Sequence, residues 1–134
     1  MNFKSLKPAL SFDDVLLVPQ YSDVESRRKV NTDSTLSEGL DFSLPVISSP
    51  MDTITEAEMA VALHKAGGLG VVHRYNTINE QADIVKQVIA ECKAAPAAIA
   101  IGATGDYLDR AERAVHLGVK VLCIDTAHGH HSAM

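Results

Sequence analysis

Four short stretches hold the groups that could handle a ligand, and each directly follows an apolar run: "SSPMDT" (48–53), "HRYN" (73–76), "GATGD" (102–106) and "DTAHGHH" (125–131). The last is the most loaded. Asp125 follows "VLCI", so its carboxylate emerges where a buried strand should end, able to accept two hydrogen bonds from sugar hydroxyls; alternatively it caps the backbone that follows. In the first stretch Ser48, Ser49 and Thr53 offer hydroxyls, and Asp52 could cap the helix that follows. Met51 offers a thioether, adaptable apolar surface for a flat ring or for ordinary core packing. His73 closes the second apolar run, where a histidine is more often a loop hydrogen-bond donor than a catalyst. His128, His130 and His131 invite a metal, but they sit in a glycine-containing loop and no Cys, Asp or Glu follows them, so metal ligation is not expected. No nucleophile stands beside its base. Cys123 lies inside the apolar run, two residues before Asp125, where an inert thiol is expected.

Those loops need a scaffold, and the chain from Pro45 onward supplies one. Apolar runs near 45–49, 69–73, 97–102 and 119–124 ("PVIS", "LGVVH", "AAIAIG", "VKVLCI") begin at intervals of about one β/α unit. Their near-continuous apolarity is that of parallel strands covered on both faces. Helices are predicted between them. Thr55-x-x-Glu58 and Thr77-x-x-Glu80 both have the spacing of a capping box. Ile78, Ala82, Val85, Ile89 and Cys92 step by four and three, one apolar stripe to lie on the sheet. "AGG" at 66–68 and Gly118 are the expected helix stops. The first forty residues read differently: a short strand at 15–18 stopped by Pro19, then polar and apolar residues alternating as short extended surface pieces. The class is therefore α/β. Four units in series suit either an open doubly wound sheet or part of a barrel, but no G-x-G-x-x-G and no P-loop follows any strand, which favours the barrel.

Bulk composition excludes several functions. The chain has 134 residues, 46% of them hydrophobic, enough for a core. Its formal net charge is −5, its twelve basic residues are scattered, and aromatics are 4% with no Trp, so a nucleic-acid face is not expected. Cys92 and Cys123 form no CxxC pair and no disulfide framework, which fits a reducing cytoplasm. No apolar run approaches the ~20 residues that span a bilayer, and no signal-peptide core opens the chain, so a soluble protein without membrane partners is expected.

Taken together, "FDDVLLVPQYSDV", "PVISSPMDTITEAEMAVALHKAGGLGVVHR" and "VLCIDTAHGHH" resemble the amino-terminal half of the inosine monophosphate dehydrogenase and guanosine monophosphate reductase family, in order and over essentially the whole chain. That resemblance implies a (β/α)8 TIM barrel, of which residues 1–44 would be a lead-in and 45–134 the first four units. It implies a purine-nucleotide oxidoreductase. In the dehydrogenase branch a cysteine attacks C2 of inosine monophosphate (IMP), hydride passes to NAD, and hydrolysis gives xanthosine monophosphate in guanine nucleotide synthesis. The reductase branch uses NADPH to convert guanosine monophosphate (GMP) to IMP with release of ammonia. By the same resemblance Ser49 and Met51 lie against the substrate's ribose and base. Asp125 is the acid at the nicotinamide ribose, with Thr126 beside it; His73 is near the same cofactor and Thr104 is in the loop toward the adenosine end. A tetramer is implied for the complete enzyme, and a monovalent cation is compatible with it.

Two departures shape the expectation. Many of these dehydrogenases carry regulatory modules inserted after the second barrel helix; here "QVIAECKAAPAAIAIG" runs straight into the third strand, so no inserted domain is expected. That feature points toward the reductase, whereas "IDTAHGH" resembles the bacterial dehydrogenase loop, and the dehydrogenase is taken as the first reading. The sequence also stops before the family's catalytic cysteine loop, phosphate-binding loops and flap, so no catalytic residue is expected in this chain. Four strands cannot close a barrel, and "VKVLCI" would present an apolar edge. The expectation is therefore completion by further sequence, by a second copy or by another polypeptide, with a non-catalytic self-associating half-barrel as a further alternative.

Overall fold

The computed structural model describes residues 7–93 and 96–134, in two compact units, 1–31 and 32–134. In the first unit the Asp14 carboxylate accepts from both the backbone N–H and the hydroxyl of Ser11 at 3.0 Å, tying a 3-10 turn over Phe12–Asp14. A second such turn, Arg27–Lys29, is capped by Ser26. The expected strand at 15–18 is not formed. Leu16 and Leu17 are almost fully exposed, and among the described residues no second strand pairs with this segment, so its backbone groups have no ladder to join.

The second unit opens with an antiparallel hairpin, β1 (Ser34–Ser37) and β2 (Leu40–Phe42), turning at Gly39. These are the extended surface pieces the alternating sequence suggested; only Phe42 is buried. Then come α1 (Ala57–Lys65), β3 (Val71–Val72), α2 (Ile78–Cys92), β4 (Ala98–Ile101), α3 (Tyr107–His116) and β5 (Val121–Ile124). The sheet is parallel in the order β3-β4-β5, with Val71 opposite Ala98 and Ala98 opposite Val121.

The first expected strand, 45–49, shrinks to a single parallel bridge, Ile47 to Leu69, supported by hydrogen bonds from Leu69 N–H to Val46 and from Ser48 N–H to Leu69. Val46 and Ile47 are about half exposed, so the both-faces burial read from the sequence does not hold there. Among the described residues this segment pairs on one side alone, and Pro45 has no donor to give.

Side-chain alternation sorts the sheet into two faces. Val72, Ile99 and Ile101 pack with Ala57, Ala60 and Val61 of α1, Val85, Val88 and Cys92 of α2, and Ala114 of α3 in one core. Leu69, Val71, Ala98 and Ala100 form the other, under Phe42 and Leu40 of the hairpin. Among the described residues α1, α2 and α3 thus lie on one face, and neighbouring strands follow chain order. A doubly wound sheet would need helices on both faces and a reversal of strand order. On β5 the alternation continues, but Leu122 and Ile124 on the helix-bearing face are 40% and 46% exposed.

The capping signals split. At α2, Glu80 N–H donates to the Thr77 hydroxyl at 3.2 Å and Thr77 N–H to the Glu80 carboxylate at 2.8 Å, as the spacing predicted. At α1 the expected Thr55–Glu58 box is absent: the N-cap is Glu56, with no side-chain cap bond. Thr55 is fully buried, and its hydroxyl donates to the Ser49 carbonyl at 2.6 Å. Its bond secures the turn after the first strand segment, and this tertiary demand outranks local capping. Both glycine stops hold, with φ of +91° at Gly67 and +84° at Gly118, a region that favours glycine. The buried stripe of α2 runs through Gln81, Ala82, Val85, Val88 and Cys92, leaving Ile78 and Ile89 partly covered.

Candidate functional site

Because β3, β4 and β5 are parallel, the loops after them open at one edge of the sheet. There a cavity of about 330 Å³ is lined by Arg74 from the loop after β3, by Gly102, Ala103 and Thr104 after β4, and by Asp125, Thr126 and His128 after β5, with Met134 alongside. Three of the six residues given ligand roles by the resemblance, Thr104, Asp125 and Thr126, are brought together here.

Asp125 is fixed on two sides. Its N–H donates to the Ile101 carbonyl at 2.8 Å, extending the β4–β5 ladder by one step. Its Oδ2 accepts from Arg74 Nε at 3.1 Å. Among the described residues Oδ1 takes no hydrogen bond. The Thr126 hydroxyl reaches the His128 carbonyl at 3.3 Å. Cys123, on the strand leading to Asp125, has its thiol pushed up, first by burial and then by the Asp125 carboxylate, so it stays protonated at neutral pH.

The other three residues lie elsewhere. Ser49 is exposed in the loop after the first strand segment, its carbonyl accepting from Met51 N–H at 2.9 Å as well as from Thr55. Met51 is 47% exposed, so it is surface at the rim and not core packing. Asp52 does not cap α1, which begins at Ala57. His73 is buried, with both ring nitrogens engaged within the chain. Nδ1 accepts from Tyr75 N–H at 3.1 Å, which leaves Nε2 to carry the proton and face Glu56 Oε1 at 3.1 Å. A histidine so held shapes the rim through Tyr75 and Glu56. Among the described residues no three His, Cys, Asp or Glu groups are placed to hold a metal ion.

Beneath the rim lies a buried polar cluster that sequence reading missed. The Gln81 amide donates to the carbonyls of His73 at 2.8 Å and Ala100 at 2.9 Å, tying the loop after β3 to β4. Gln81 Oε1 accepts from Arg110 Nη1 at 3.1 Å, and Arg110 reaches Asp106 at 2.9 Å and the main chain of Asn76. Arg74 was also missed. Its one signal was a cation in a rim loop that also held the chosen His73.

A rim of this kind, with carboxylate, hydroxyl and apolar groups beyond parallel strands, is where α/β proteins of this class place small-molecule sites. Comparison with known proteins sharpens that class. Residues 9–134 match the IMP dehydrogenase / GMP reductase domain, and the chain belongs to that family of oxidoreductases. It is 50% identical to the inosine-5'-monophosphate dehydrogenase of Nitrosopumilus maritimus over 82 residues, 61% of this chain and 17% of that protein. It is 45% identical to that of Aquifex aeolicus over 85 residues, and 43% identical to the GMP reductase of Leishmania donovani over 84, in each case 63% of this chain and 17% of the relative. The match thus spans about a sixth of these relatives' length.

Proposed function

We propose that this chain is the nucleotide-binding first half, lead-in 1–44 and barrel units 45–134, of a β/α-barrel purine-nucleotide oxidoreductase acting in the cytoplasm as a homotetramer. The reaction best supported is NAD-dependent oxidation of IMP to xanthosine monophosphate. The observation that carries this reading is the cavity gathering Thr104, Asp125 and Thr126 at the carboxyl ends of β4 and β5. Sequential parallel strands with every helix on one face support the barrel. The higher identity to proteins named dehydrogenases supports the direction.

The cavity suits the ribosyl part of a nicotinamide cofactor. Asp125 Oδ1 is available to a ribose hydroxyl, the Thr104 and Thr126 hydroxyls stand beside it, and Ala103 and Ala127 offer apolar wall. When bound, NAD supplies the hydride acceptor. This chain's residues bind and orient: Asp125 and Thr126 the ribose, Thr104 the adenosine side, Ser49 and Met51 the substrate's ribose and base from the neighbouring loop. His73, enclosed by Glu56 and Tyr75, acts by setting the loop that carries Arg74.

The reductase, with NADPH and GMP, is the second reading, favoured by the short linker 93–97 between α2 and β4, which leaves no room for an inserted regulatory domain. A non-catalytic, self-associating half-barrel is the third, favoured by the half-exposed Leu122 and Ile124. Intact mass and activity of the purified species separate the three. NADH formation on IMP supports the first reading and NADPH consumption on GMP the second. An inactive self-associated species of 14.4 kDa chains supports the third.

A further inference from the structure

The side chain that meets Asp125 has a second grip on it. Arg74 donates from Nε to Oδ2 at 3.1 Å and from Nη2 to the Asp125 carbonyl at 3.3 Å, so one rigid guanidinium plane holds side chain and main chain together. The guanidinium also lies over the Tyr75 ring at 5.4 Å and alongside Gly102. With side chains 34% and 26% exposed, such a pair adds little to fold stability. Its effect is on geometry: it occupies Oδ2 and restricts the rotation of the carboxylate.

We propose that Arg74 is the positioning residue of the dinucleotide site. It presents Asp125 with Oδ1 as the remaining acceptor for a ribose hydroxyl of the ligand. This inference rests on the ribose role proposed for Asp125. Two of the five guanidinium N–H donors are committed to Asp125, and the others belong to a side chain that lines the cavity. Lysine at this position would keep the charge and lose the fork.

The test is a double-mutant cycle on NADH and NADPH affinity, read by nicotinamide fluorescence on the active assembly, with circular dichroism confirming that each variant is folded. Arg74→Ala weakens dinucleotide binding about tenfold, equivalent to about 1.4 kcal/mol. Arg74→Lys recovers less than half of that loss. The double variant with Asp125→Ala is no weaker than about threefold below the worse single variant, and KM for the purine nucleotide stays unchanged. If Asp125→Ala leaves affinity intact, the ribose role itself falls. If Asp125→Ala weakens binding but Arg74→Ala does not, or if the two losses multiply, the ribose role stands and positioning by Arg74 is refuted.

Discussion

Replacing Gln81 by leucine tests whether the buried polar cluster is what holds the rim in place. The change keeps the side chain's size and removes its amide, which is 3% exposed and makes three hydrogen bonds. Two go to neutral carbonyls, each contributing about 1 kcal/mol net, and one comes from a guanidinium, contributing about 1.5–3 kcal/mol. The sum is roughly 3.5–5 kcal/mol. Leucine's easier burial offsets about 1 kcal/mol of it, leaving a net loss of roughly 2.5–4 kcal/mol. Against a domain margin of about 5–15 kcal/mol that is a large fraction. Urea unfolding followed by circular dichroism reads it as a lower midpoint at unchanged slope. Because Gln81 grips the carbonyl of His73, next to Arg74, dinucleotide affinity falls too. A stability loss under about 1 kcal/mol would refute the reasoning, since the three partners would then be satisfied without the amide.

Other substitutions probe separate links. Gly70→Ala would place a Cβ 2.4 Å from the Ala60 Cα and 2.7 Å from its Cβ, so α1 must shift off β3; a thermal melt is expected to show Tm lower by more than about 5 °C. The Glu80 carboxyl is held below its ordinary value by the backbone N–H and then the hydroxyl of Thr77. Its contribution is full above the unfolded carboxyl value near 4.5 and fades as pH falls through the lower folded value, so the Tm gap between wild type and Glu80→Gln, open at pH 6, closes toward pH 3. Cys123, with its thiol raised, is expected to react with iodoacetamide at pH 7.5 more than about tenfold slower than free cysteine, and Cys123→Ser to leave kcat unchanged.

The order of strands and helices was legible because apolar runs, the Thr77–Glu80 box and the glycine stops are local signals. Thr55 was misread for the opposite reason: its spacing to Glu58 fits a cap, yet its hydroxyl turns to Ser48 and Ser49, and Ser48 in turn accepts from Val71 N–H, a contact that exists only once β3 lies alongside. The pairing of Arg74 with Asp125 spans 51 residues of chain and arises from sheet order, which no local pattern records. Gln81 and Arg110 are polar residues on helices that otherwise read as solvated there, and their burial follows from the carbonyls they serve. Asp125, Thr126 and Thr104 were found because a polar residue directly after a buried parallel strand must emerge at the binding edge. His73 met the same criterion and is enclosed, since its ring nitrogens are taken up by Tyr75 N–H in its own loop and by Glu56 at the start of α1.

The most direct measurement is the change in absorbance at the reduced-nicotinamide band when the active assembly carrying this chain is given IMP with NAD, and separately GMP with NADPH, before and after Asp125→Ala. NADH formation on IMP, with KM for NAD raised about tenfold or more in the variant and KM for IMP unchanged, is the predicted result. Turnover in neither direction, or a variant whose KM for NAD is the same as wild type, would contradict the assignment of this rim to the nicotinamide ribose.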